Sequence, residues 1–187
     1  MKITRSVATI VTSLALVVGA SGTATAEETR CRGTIGARTV DNLKVPAGKR
    51  CVLEGTRVKG TIKVGRKATL IARGVRVVGN VQAENARKVV VRGGSRVGGS
   101  IQIVQGRTAL VRGTKVNADI LFDDQRGEVR AIRNNVGGNI QAFQNTGGVV
   151  IKKNVVDGNL QCKENRPAPR GGGNKVEGNK EDQCSGL

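Results

Sequence analysis

The sequence predicts an all-β protein, a single-domain parallel β-helix (β-solenoid) of about seven coils with about 20 residues in each and a disulfide at either end. Three observations carry this expectation. A Val-x-Gly motif, with one Ala in place of Gly, recurs seven times at intervals of 19 or 20 residues. The residues between are largely β-branched, alternate apolar with polar and are interrupted by glycine in every unit, which disfavours helix. The four cysteines form two pairs whose members stand 20 and 22 residues apart, one interval or slightly more.

Taken from the N-terminus, residues 1–26 read as a secretory signal peptide. Lys2 and Arg5 give a basic start, Val7 to Gly19 an apolar stretch, and "TATA" at Thr23 to Ala26 an Ala-x-Ala end. The apolar part is too short to span a bilayer comfortably. Cleavage after Ala26 is therefore expected, leaving residues 27–187, a secreted β-solenoid domain of 161 residues with no transmembrane segment. His, Trp and Tyr are absent, and Phe122 and Phe143 are the only aromatic residues. An interior without ring side chains must be thin and filled by small branched groups, layer upon layer.

The cysteines come next. An even number in an exported chain reads as disulfides, and their spacing, with no His as co-ligand, does not suit a zinc site. Residues one coil apart have Cα atoms about 5 Å apart, within disulfide range. Cys31–Cys51 and Cys162–Cys184 would then fasten the two ends of a rod, each worth about 3 kcal/mol in the chain-entropy account.

Between them runs the repeat. Its glycines are Gly60, Gly79, Gly99, Gly138, Gly158 and Gly178, with Ala118 as the exception. Two residues earlier stand Val58, Val77, Val97, Val116, Val136, Val156 and Val176. One residue later comes a small polar side chain (Thr61, Asn80, Ser100, Asp119, Asn139, Asn159, Asn179), then an aliphatic one from Ile62 to Leu160, failing at Lys180. A weaker copy, "TVDNLKV", begins at Thr39. Each unit holds a second apolar run, such as "LIA" at Leu70 or "VVV" at Val89, closed by Gly55, Gly74, Gly93, Gly113, Asn134 or Asn154. Gly and Asn tolerate a left-handed backbone, so each unit is expected to be strand, turn, strand, turn. Such a pair cannot bury its own face, whereas stacking units about 4.8 Å apart builds one continuous core. A β-sandwich, the structural alternative, has no reason to keep a constant period. Residues 163–175, "KENRPAPRGGGNK", hold two of the three prolines and three consecutive glycines and are expected to be a loop inside the last coil.

Alternation assigns the outward side chains. With Val58, Ile62 and Val64 inside, Lys63, Gln82, Gln102, Gln141 and Gln161 point out, a glutamine ladder interrupted by Leu121 and expected to be hydrogen-bonded along the axis. On the second strand Ile71 and Arg73 point out, followed by Val90 with Arg92, Leu110 with Arg112, Arg130 with Ile132, and Val150 with Lys152. One face should thus carry an apolar column beside a cationic one. From Arg30 to Lys115 there are twenty Lys and Arg against Asp41, Glu54 and Glu84, a net of +17; from Val116 to Leu187 there are ten against nine, a net of +1. A field so concentrated attracts polyanions.

Without His, no Ser-His or Cys-His nucleophile pair exists. The one carboxylate cluster is Asp119, Asp123 and Asp124 with Glu128, and "DDQRG" also reads as a plain turn. A non-catalytic protein with no cofactor and no metal is expected; a lyase-like carbohydrate-active enzyme and a weak Ca²⁺ site at that cluster are the alternatives.

Two stretches, "SRVGGSIQIVQG" at Ser95 and the Cys-bounded tail "GNLQCKENRPAPRGGGNKVEGNKEDQC" at Gly158, resemble small secreted β-solenoid proteins of high-GC Gram-positive bacteria, a group without an established function. More loosely, the short Val/Gly coils are similar to the polymer-forming β-helices called bactofilins, which implies self-association, although bactofilins work inside cells without such a leader or disulfides. The expected function is a secreted structural or binding protein whose cationic residues Lys63, Arg66, Lys67, Arg73, Arg92 and Arg112 associate with anionic cell-envelope polymers, either wall polymer or acidic polysaccharide. Sequence-specific nucleic-acid binding is not expected without Tyr or Trp for base stacking. Homo-association through the apolar column or the rod ends is the second reading.

Overall fold

The computed structural model describes residues 27–187 of the chain. The expected signal peptide, residues 1–26, lies outside the described residues. Among the described residues every regular element is a strand, and no helix is long and apolar enough to cross a membrane.

The chain winds into a parallel β-solenoid with three sides. The coil that begins at Thr69 lays Thr69–Arg73 on face I, Arg76–Val77 on face II and Val81–Glu84 on face III. The next coil repeats this with Lys88–Arg92, Arg96–Val97 and Ile101–Val104, each parallel to its predecessor. Faces I and II are eight-stranded sheets and face III is nine-stranded. Seven coils follow the repeat, from Arg50–Glu54 to Lys180–Asp182, after a less regular turn that starts at Glu28–Arg30. Val77 and Val97 are direct neighbours in the stack. The repeat length is one circuit of the rod.

The expected two strands per unit are corrected to three. The Val-x-Gly-x-Ile stretch is not one strand but two, which meet at a corner between faces II and III. The corner is built by the small polar residue. Asn80 Oδ1 accepts the Ser100 N–H at 2.8 Å, Asp119 Oδ1 the Asn139 N–H at 2.7 Å, and Asn139 Oδ1 the Asn159 N–H at 2.8 Å. Each side chain thereby occupies the space that a Cβ on the next coil's glycine would need. A Cβ on Gly158 would lie 2.6 Å from Asn139 Oδ1, and one on Gly79 would lie 2.7 Å from Thr61 Oγ1. Ala118 is the exception to the glycine rule, and it follows Ser100, one of the shortest members of the polar column.

The interior is filled as the composition requires. Val58, Ile62, Leu70, Val89, Ile101 and Ile140 are fully buried, and Phe122 is the largest side chain inside. At the corner between faces I and II, Gly55, Gly74, Gly93 and Gly113 have φ between 56° and 72°, as the turn reading expects. Asn134 and Asn154 do not serve that way. In their coils Arg133 and Lys153 take the left-handed position, at φ 54° and 56°. The asparagines point inward instead. Asn134 donates its backbone and side-chain N–H to Asn154 Oδ1, both at 3.0 Å, and Asn154 does the same to Asn174 at 3.0 and 2.9 Å. A matching ladder of Gln125, Asn145, Asn165 and Gln183 lines the corner between face III and the next face I. Backbone N–H groups turned into these corners have no strand partner, and the amides satisfy them.

The expected loop over 163–175 is shorter than its composition suggests. Arg170–Gly172 forms a face I strand parallel to Val150–Lys152, while Lys163 ends one strand and Lys175 begins another. Main-chain pairing needs no side chain, so a glycine run lies in the ladder where one is available. Cys31–Cys51 and Cys162–Cys184 are both disulfides, with Cα atoms 5.5 and 5.1 Å apart. Beyond Asp182 the chain folds over the rod's end, where Leu187 packs on the core and its carbonyl accepts Asn174 Nδ2–H at 3.0 Å.

Candidate polyanion interface

The six cationic residues singled out in the sequence do not share a face. Lys63 stands on face III, in the column that continues as Gln82, Gln102 and Leu121. Arg66 and Lys67 lie at the corner between faces III and I. Arg73, Arg92 and Arg112 are stacked at the opposite edge of face I. Arg73 is held by Glu54 at 2.7 Å, so part of its charge is answered within the protein. The apolar and cationic columns expected on the second strand do lie side by side on face I, but Lys63, Arg66 and Lys67 do not join them: Lys63 is on face III, and Arg66 and Lys67 lie at the corner beyond the other end of the face I strands.

The glutamine ladder forms as expected, with Gln82 donating to Gln102 at 3.4 Å and Gln141 to Gln161 at 2.8 Å. The apolar column also points outward on face I, but flanking side chains cover much of it. Val52 and Val90 are only 5% and 6% exposed, while Ile71, Leu110 and Val150 are half-buried.

At the corner between faces III and I the structure adds three arginines to Arg66 and Lys67. Backbone bonds from Arg87 N to Ala68 O, Arg107 N to Ala86 O and Arg126 N to Gly106 O put Arg87, Arg107 and Arg126 at one position of successive coils. The five cations line a shallow groove of about 650 Å³ together with Asn85 and Gln105, and no carboxylate lines it. None of the five makes an ion pair among the described residues.

The other corner is cationic on both sides. Arg92 and Arg112 end their face I strands, and across the glycine turn Arg57, Arg76, Arg96 and Lys115 form a second exposed column on face II. Sequence reasoning missed this column, and it missed Arg87, Arg107 and Arg126. The signal was present: the residue before each ruler valine is basic in four consecutive coils. It has no meaning until the two-residue strand is recognised as a face of its own.

These columns are not a requirement of the fold. Two like charges about 4 Å apart repel by about 1 kcal/mol even in bulk water. The same molecule shows that uncharged residues serve: after Lys115 the face II position is held by Asn135 and Val155 before Lys175 restores a charge, and after Arg112 the end of face I is held by Ile132. Thr146 occupies the coil position of Arg126. The strand pairing continues through these positions, so it does not depend on the cations.

The carboxylates have separate structural roles. Asp119 Oδ1 accepts both the backbone and side-chain N–H groups of Asn139. Asp124 turns a corner at φ 49°. Glu128 pairs with Arg130 and, at 3.2 Å, with Arg170. Among the described residues no group of three or more His, Cys, Asp or Glu side chains is placed to hold a metal ion.

No protein-family model matches the chain, and no curated protein or solved structure matches it significantly. Structure alone defines its class: a three-sided parallel β-solenoid with two disulfides and one strongly cationic half.

Proposed function

We propose that this is a secreted, non-catalytic binding protein whose cationic half holds anionic polymer of the cell envelope. The observation that carries the reading is the groove of Arg66, Lys67, Arg87, Arg107 and Arg126, five cations with no carboxylate among them. Its cations stack coil upon coil along the rod, which suits a linear polyanion better than a small compact anion. The disulfides are compatible with an oxidising, extracellular compartment. Asp119 and Glu128 are engaged in the corner ladder and in ion pairs, which favours a non-catalytic role. Self-assembly is less well supported. The apolar column is largely covered, and the final face III strand, Lys180–Asp182, is charged at each position, a feature that discourages edge pairing.

The test is binding of the oxidised protein to poly(glycerol phosphate) and to polygalacturonate. Five charge contacts predict a loss of about 100-fold in affinity between 50 and 200 mM salt, using the slope for single-stranded polyanions. Combined replacement Arg87→Glu, Arg107→Glu and Arg126→Glu should weaken binding by about tenfold or more at low salt. Affinity that ignores both salt and charge reversal overturns the reading.

A further inference from the structure

The geometry points to a bridging activity: we propose that one rod binds two polyanion chains at once, one along each edge of face I, and so cross-links envelope polymer. The inference rests on the polyanion-binding reading above and goes beyond it. The first track is the groove of Arg87, Arg107 and Arg126. The second is the face II column of Arg76, Arg96 and Lys115 beside the glycine corner. Both run through the same coils and point away from different corners of the prism.

Each route between the tracks lacks a continuous run of cations. Across face I lies the apolar column, where Val90 is 6% exposed. Across face III lies the glutamine ladder, whose side chains bond to one another. A five-residue face I strand separates the corners by about 13 Å at the usual strand rise. That exceeds the Debye length of about 8 Å at physiological ionic strength. Two bound chains would therefore be largely screened from each other, and filling one track would not expel anions from the other. Pairing continues where Asn135 and Val155 replace the face II cations and where Thr146 stands at the coil position of Arg126, so a cation is not needed at those positions for folding.

The probe is poly(glycerol phosphate) in two lengths. Short chains, long enough to cover one track, are titrated by calorimetry; long chains are mixed with the protein and followed by turbidity. The wild-type protein, confirmed as monomeric by sedimentation, should bind two short chains and cloud the long ones. Arg76→Glu with Arg96→Glu and Lys115→Glu should bind one short chain, with affinity within about threefold of the remaining site, and should no longer cloud long chains. Arg87→Glu with Arg107→Glu and Arg126→Glu should do the same. Gln versions of each set, which remove charge without reversing it, should follow in weaker form and guard against a variant that misfolds. One short chain per wild-type rod, full turbidity from either Glu variant, or loss of all binding in one of them overturns bridging while leaving polyanion binding intact. No binding by the wild type defeats the underlying reading as well.

Discussion

Gly99 shows how one residue is fixed by another in the preceding coil. A methyl group there would overlap Asn80 Oδ1, which is held in place by the Ser100 N–H at 2.8 Å. Overpacking of this kind costs about 1–3 kcal/mol. Gly99→Ala should therefore lower the denaturation midpoint markedly, and Asn80→Ser combined with Gly99→Ala should recover much of the loss, recreating the pairing of Ser100 with Ala118. If the two substitutions simply add, the steric account of the corner is wrong. The glycine spacing was fully legible in the sequence; its cause was not, because the obstructing atom lies about 20 positions away. Asn134 and Asn154 misled for a related reason. Asparagine suits a left-handed turn and a buried ladder equally well, and only the neighbouring coil decides between them.

The corner ladders are the elements that make each coil recognise the next. Asn154 is fully buried, accepts two hydrogen bonds from Asn134 and donates to Ala131 O at 2.9 Å. Asn154→Ala strands the buried Asn134 backbone N–H and takes the Asn154 acceptor from its side-chain amide, at about 1–3 kcal/mol for each unsatisfied group. The expected result is a drop of about 2–4 kcal/mol in unfolding free energy, measured with urea. A change under about 0.5 kcal/mol would mean that the ladder is ornamental. Face II is the element that the sequence concealed. Period-two alternation cannot be seen in a strand of two residues such as Arg96–Val97, so the sequence pattern merges the valine into a longer strand and assigns no face to the arginine before it. The residues of face I were legible because an apolar run such as Leu70 to Ala72 or Val89 to Val91 marks the strand in most units.

At the scale of the whole molecule, each coil touches chiefly its neighbours, so stability is distributed along the rod and not pooled in one centre. A disulfide at an end should then act locally. Cys162→Ala with Cys184→Ala should cost about 3 kcal/mol. Amide exchange should quicken across Lys180–Asp182 well before it changes at Val77 or Val97. Uniform acceleration throughout would instead indicate a single all-or-none unit. The unequal halves have a further consequence. With +17 gathered between Arg30 and Lys115 and only +1 from Val116 onward, the rod is an electric dipole along its own length. Such a rod, brought near any negatively charged surface, would experience a torque before contact. It would turn its basic end toward that surface and arrive already aligned, with the neutral end standing clear.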